Sequence, residues 1–89
     1  MAGAPDAVFD RCIEAAENLG WTVTAQDRAN GTFEAMDVSR LFRFVDDIVV
    51  RVSSLHGEVI VDVRSKSRDG KSDLGANAAR IRAFRDALD

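Results

Sequence analysis

The sequence predicts an α+β fold, a four-stranded antiparallel meander sheet with two helices on one face, ordered αββββα, in one domain spanning residues 1–89. Three observations predict it. Apolar residues recur at helical spacing near both ends of the chain. Between them, two pairs of alternating segments are each joined by a turn signal. A chain of 89 residues has only two helices to offer, so four strands can bury one face beneath them and leave the other to solvent.

The first helix is expected over about 5–19. Pro5 suits a first helical position, where its missing N–H costs nothing, and Asp6 suits the positive end of the helix dipole. Phe9, Cys12, Ile13, Ala16 and Leu19 keep one face apolar, Asp10, Arg11, Glu14 and Glu17 fill the other, and Gly20 is a natural stop.

Trp21, Val23 and Ala25 then alternate with Thr22, Thr24 and Gln26, which is a half-buried strand over about 21–27. Asn30-Gly31 is a turn signal, because both residues tolerate positive φ. Phe33 and Ala35 alternate with polar neighbours in a second strand over about 32–38. Residues 40–44 lead onward, with Phe42 and Phe44 expected under the core.

The second hairpin sets Ile48, Val50 and Val52 against Val59, Val61 and Val63, with a turn near Leu55-His56-Gly57. Inward faces must match, so paired residue numbers sum to an odd value. A two-residue turn at His56-Gly57 pairs Arg51 with Asp62 and Asp47 with Lys66. A looser turn pairs Asp47 with Arg64 instead. Either register joins opposite charges, at about 0.2–1 kcal/mol per pair, whereas the next slip would oppose Arg51 and Arg64 and is rejected.

Alternation ends after Ser65, and residues 66–72 read as a loop. Ser72 or Asp73 is a candidate N-cap for a final helix over about 73–88, where Leu74, Ala78, Ile81, Phe84 and Leu88 follow helical spacing. The expected core joins Trp21, Val23, Ala25, Phe33, Ala35 and the six inward residues of the second hairpin to Phe9, Ile13, Leu19, Ile81, Phe84 and Leu88.

Composition narrows the function. Apolar residues make up 46% and charged residues 30%, which suits a globular chain rather than a disordered one. No apolar run is long enough to span a bilayer, and no basic segment followed by an apolar core opens the chain. No membrane partner is therefore expected, and a cytoplasmic location follows if the chain is full length. One cysteine and one histidine support neither an internal disulfide nor a His/Cys zinc cluster, and no cofactor is expected.

Charge is uneven along the chain. Residues 1–63 carry five Lys/Arg against eleven Asp/Glu, and residues 64–89 carry seven against four. A basic end on an acidic body can attract an anion, or the two parts can neutralise each other in the fold. Nucleic acid is not the expected partner, because no aromatics interleave with the basic residues and the net charge is −3.

The segment Arg64 to Ser72 is the one candidate binding feature. It is rich in basic residues and serines and feeds a helix N-terminus, where free N–H groups and the dipole favour an anion. Arg64, Ser67, Arg68, Lys71, Ser72 and Asp73 are the candidate residues, with Asn77 and Arg80 on the helix beyond. The spacing is not that of a phosphate-binding Walker loop, and a solvated loop with capping serines explains the same composition. Asn77 falls on the inward side of the helix, where a buried amide either ties a strand end or touches a ligand.

Catalytic candidates are weak. Asp46 and Asp47 are adjacent in a strand and point to opposite faces, so they cannot converge on one substrate. Cys12 lies on the apolar stripe of the first helix, where a free thiol packs as a small hydrophobe. His56 sits at a turn with only Glu58 nearby.

The runs from Phe44 to Arg51, from Asp62 to Arg68 and from Gly70 to Ile81 together resemble the bacterial and plastid domain-of-unknown-function family 1499. Leu19-Gly20-Trp21 and Gly31 to Ala35 are similar as well, so the resemblance covers nearly the whole chain. It implies no activity, since none is assigned to that family. It directs attention to Arg51, Arg64, Ser65, Ser67, Arg68, Asp73, Asn77 and Arg80. Some relatives carry N-terminal extensions, including membrane anchors.

These observations give the expected function: a small binding or interaction module without evident catalytic machinery, with a small-anion (phosphate or carboxylate) binder as the alternative. The partner is an unknown protein or a small anion. On the outer sheet face, Met36, Val49 and Ile60 are apolar among Thr, Asp, Glu and Arg residues, and a weak homodimer through this face is expected.

Overall fold

Pro5 opens α1 (Pro5–Asn18) at its first turn, beside Asp6, and the helix ends in a tight C-terminal motif in the computed structural model, which describes residues 3–38, 45–67 and 74–88. Gly20 takes φ +87°, its N–H reaches Glu17 O, and the N–H of Trp21 reaches back to Ala16 O at 3.0 Å. This doubly bonded ending satisfies carbonyls that a helix terminus otherwise leaves open. It also delivers Trp21 directly into the core.

Four strands follow: β1 (Thr22–Asp27), β2 (Thr32–Val38), β3 (Val45–Leu55) and β4 (Glu58–Ser67). They pair antiparallel in the order β1-β2-β3-β4, and α2 (Leu74–Leu88) closes the chain. The expected α+β meander is the observed one. Both helices lie on the same side. The Phe9 ring of α1 meets Phe33 of β2 edge-on at 5.8 Å, and Phe84 of α2 stacks on Trp21 at 5.1 Å.

The core holds Val8, Phe9, Cys12, Ala15 and Ala16 from α1, Trp21, and Phe33, Ala35, Ile48, Val50, Val52 and Val59 from the sheet, with Phe84 from α2. Ile13, Val23, Val61, Val63 and Leu88 pack against it, partly buried. Of the expected core residues, Ile81 is only partly buried and outside the central cluster, and Leu19 and Ala25 fall elsewhere. Leu19 is 37% exposed, because it is the C-cap residue and the chain has already turned off the buried stripe. Ala25 is exposed because β1 carries a bulge at Thr24: Val23 pairs with Ala35, but Ala25 pairs with Glu34. One extra residue shifts the alternation, so every β1 side chain beyond it changes face.

The β1–β2 connection also differs from the expected turn. Arg28–Asn30 form a single 3-10 turn, whose Asn30 N–H and side-chain amide both bond to the Asp27 carboxylate. Only Gly31 has positive φ, at +67°. Its backbone lies against β3, where the Val52 N–H bonds to Gly31 O at 2.7 Å.

The β3–β4 register is the one a two-residue His56-Gly57 turn requires: Arg51 pairs with Asp62, and Asp47 with Lys66. Both turn residues have positive φ, at 52° and 81°. The hairpin is longer than its alternating core suggests, because β3 begins at Val45 and so offers partners to Ser65, Lys66 and Ser67. Strand β4 therefore continues two residues past the expected end of alternation. The placements of Phe42 and Phe44, and the cap at Ser72 or Asp73, lie outside the described residues.

Candidate functional site

The inward face of the sheet is apolar over most of its length but polar at one end. There the register aligns Asp37, Asp46 and Ser67 across β2, β3 and β4, with Ser65 two residues earlier on β4. These positions share the parity of Phe33, Ile48 and Val63, so their side chains point toward the helices. Asp37 and Asp46 are directly opposite, which brings two carboxylates together at the edge of an apolar core. Such a like-charge pair is unfavourable unless a cation joins it.

Arg80 of α2 is that cation. Its Nε donates to Asp37 Oδ2 at 3.1 Å and its Nη2 to Asp46 Oδ2 at 2.7 Å. Its Nη1 donates to Ser65 Oγ at 3.0 Å and to Asn77 Oδ1 at 2.6 Å. The Ser65 hydroxyl in turn donates to Asn77 Oδ1 at 2.7 Å. The Arg80 and Asp46 side chains are only 13% and 14% exposed. Spacing on α2 makes the arrangement work: Asn77 and Arg80 are three residues apart and share one helix face. Every nitrogen of the guanidinium has a partner, and the planar fork holds three secondary-structure elements at once.

Chemically, the cluster is a lock rather than a receptor. Two carboxylates face one guanidinium, so its net charge is −1, and an incoming anion would have to displace one of them. Among the described residues, no buried side-chain nitrogen or oxygen lacks a hydrogen-bond partner. No group of three His, Cys, Asp or Glu side chains among them is placed to hold a metal ion. Cys12 is buried beneath α1, where desolvation pushes its thiol up to about 11, against a smaller lowering by Arg11. A thiol so raised stays protonated and is a poor nucleophile.

The structure separates the candidate anion residues. Arg64 is exposed on the outer sheet face, opposite Val49. Ser67 is 8% exposed on the inner face, in line with Asp46, and Asn77 and Arg80 belong to the polar lock. Arg64 therefore cannot share a ligand with Ser67, Asn77 and Arg80. Arg68, Lys71, Ser72 and Asp73 lie outside the described residues. The expected structural role of Asn77, tying the helix to a strand end, is the one observed.

Sequence reasoning missed Asp37 and Asp46 as Arg80's partners. The signal was their parity with Phe33, Ala35, Ile48 and Val50: an acid on the inward side of a strand needs a cation.

A family model described as a protein of unknown function (DUF1499) matches residues 1–88. The chain belongs to this family. A comparison with curated proteins finds no match. Within this DUF1499 chain, the motif residues Ser65, Asn77 and Arg80 meet in one hydrogen-bonded cluster, whereas Arg51 and Arg64 lie on the outer face. No helix among the described residues is long and apolar enough to cross a membrane.

The outer face has its own relief. Thr32, Val49, Arg51, Asp62, Val63 and Arg64 line an open groove of about 530 Å³. Met36 and Val49 are diagonal neighbours there, since Met36 pairs with Asp47. Ile60 pairs with Ser53 and lies four residues along β4 from Arg64, so it stands apart from the other two. The apolar surface expected from the sequence is thus split by the Arg51–Asp62 pair.

Proposed function

We propose that this DUF1499 chain is one small, non-catalytic interaction module whose outer sheet face is the contact surface. The observation that carries the reading is the division of labour between the two faces. Both helices cover the inner face, and the polar groups of the motif are spent there on holding α2 to the sheet. No described element packs on the outer face, where Val49 is partly buried amid exposed Glu34, Arg51 and Arg64. An apolar centre ringed by charges is the layout of a specific, modest-affinity contact.

A photo-crosslinking amino acid at position 49, compared with one at Glu14 on the exposed side of α1, tests this in the native host. Adducts formed from position 49 and not from position 14 support the reading. Adducts absent from position 49, or equally abundant from both, overturn it.

A further inference from the structure

We propose that the partner of the outer face is a second copy of this chain, docked about a two-fold axis through Val49 with its strands crossing those of the first copy nearly at right angles. This rests on the outer face being the contact surface, as proposed above. The argument comes from the register.

Val49 has four outer-face neighbours. Glu34 stands opposite it on β2 and Arg64 opposite it on β4, while Asp47 and Arg51 precede and follow it by two residues on β3. Two acids therefore adjoin each other on one side of Val49, and two bases adjoin each other on the other. Neighbouring strands are about 4.8 Å apart and alternate residues about 6.6 Å apart, so the four neighbours stand within about 2 Å of a common distance from Val49, a difference that long side chains span.

A two-fold face-to-face contact through Val49 has four simple orientations. An axis along β3 lays Asp47 on the partner's Asp47 and Arg51 on the partner's Arg51. An axis across the strands lays Glu34 on the partner's Glu34 and Arg64 on the partner's Arg64. One diagonal lays Glu34 on the partner's Asp47 and Arg51 on the partner's Arg64. Each of the three opposes like charges in a closing interface, which disfavours it strongly. The remaining diagonal runs from the Thr32 corner to the Lys66 corner. It lays Glu34 on the partner's Arg51 and Asp47 on the partner's Arg64, twice each, around a Val49–Val49 centre.

That axis crosses the two sets of strands at about 90°, one of the two standard geometries for packed sheets. Thr32 lies near the axis at one corner, where its small side chain leaves room. Lys66 lies near it at the other and so comes close to the partner's Lys66, a like pair at the rim whose long flexible stems can splay apart into solvent. Strands of 6, 7, 11 and 10 residues present a face of roughly 500 Å² per copy, below the standard size and typical of weak association.

The test uses the 89-residue chain in analytical ultracentrifugation from low micromolar to millimolar concentration, at low and at high salt. The wild type should self-associate reversibly and less strongly at high salt. Glu34→Arg and Arg51→Glu should each weaken self-association by about tenfold or more. Mixing the two variants should restore it, because in the mixed dimer one contact sets Arg at position 34 against Glu at position 51 and the other keeps the native Glu34–Arg51 pairing. A change confined to one chain's own stability cannot give that rescue. Circular dichroism of each variant establishes that it folds, and Val49→Lys provides an independent disruption if either does not. A wild type that stays monomeric throughout overturns the proposal, as does a dimer indifferent to the charge reversals or not rescued by mixing. Crosslinks from position 49 to a different protein would overturn the second copy while leaving the contact surface standing.

Discussion

Asp37 and Asp46 face each other across the β2–β3 ladder, and the pair is held together by Arg80. Removing the arginine therefore does more than delete two ion pairs, because it leaves two partly buried carboxylates in mutual repulsion. Arg80→Met is expected to lower unfolding free energy by about 2–4 kcal/mol, somewhat less than for a fully buried pair because Asp37 is 32% exposed. Adding Asp37→Asn and Asp46→Asn to that variant should recover part of the loss. Urea titrations of the three proteins measure it, and a triple variant no more stable than Arg80→Met would refute the repulsion.

Gly31 tolerates no side chain. A Cβ there would overlap the Val52 carbonyl oxygen, and the residue already sits at φ +67°. Gly31→Ala should cost more than about 2 kcal/mol, since left-handed strain of about 1–2 kcal/mol adds to a clash with immobile backbone. A shift in urea midpoint of only a few tenths molar would show that the β1–β2 connection yields.

His56 occupies positive φ in the β3–β4 turn, a conformation in which asparagine is more at home. His56→Asn should stabilise the chain by about 0.3–1 kcal/mol. Thermal melting reads the change, and an unaltered or lower midpoint counts against the turn geometry.

Cys12 makes stability depend on alkaline pH. Its thiol ionises near 9.0 in an open chain but near 11 in the fold, so the folded state binds more protons between those values. Stability supplied by the buried neutral thiol is whole below pH 9 and falls away as pH rises toward 11, by up to about 2–3 kcal/mol. Cys12→Ala should start from lower stability and lack that part of the slope. Equal slopes for the two proteins would contradict the burial of this thiol.

Legibility in the sequence followed how local each determinant was. The β3–β4 register could be read because Arg51, Asp62, Asp47 and Lys66 lie a few residues from one turn and pair favourably in few ways. The bulge at Thr24 could not be read, because it is defined only against β2, where the Thr24 hydroxyl donates to Glu34 O, a partner known only once the strands meet. Asn77 was readable from helical spacing alone. Arg80 was singled out only by the family resemblance, since on α2 it is one cation among several and its partners are 43 and 34 residues away. The split of the outer apolar residues likewise needed the register to become visible.

The displaced residue in β1 has one further effect. An open four-stranded sheet ends in two strands, β1 and β4, each presenting backbone groups to any extended chain that drifts alongside. A bulge interrupts the even spacing of those groups on β1, so that edge is a poor template for strand addition. On β4, the acids Glu58 and Asp62 and the bases Arg64 and Lys66 put charge along the edge strand, which discourages pairing with an apolar strand. Both rims are thus poor templates for strand addition, which leaves the broad face as the surface offered to another sheet.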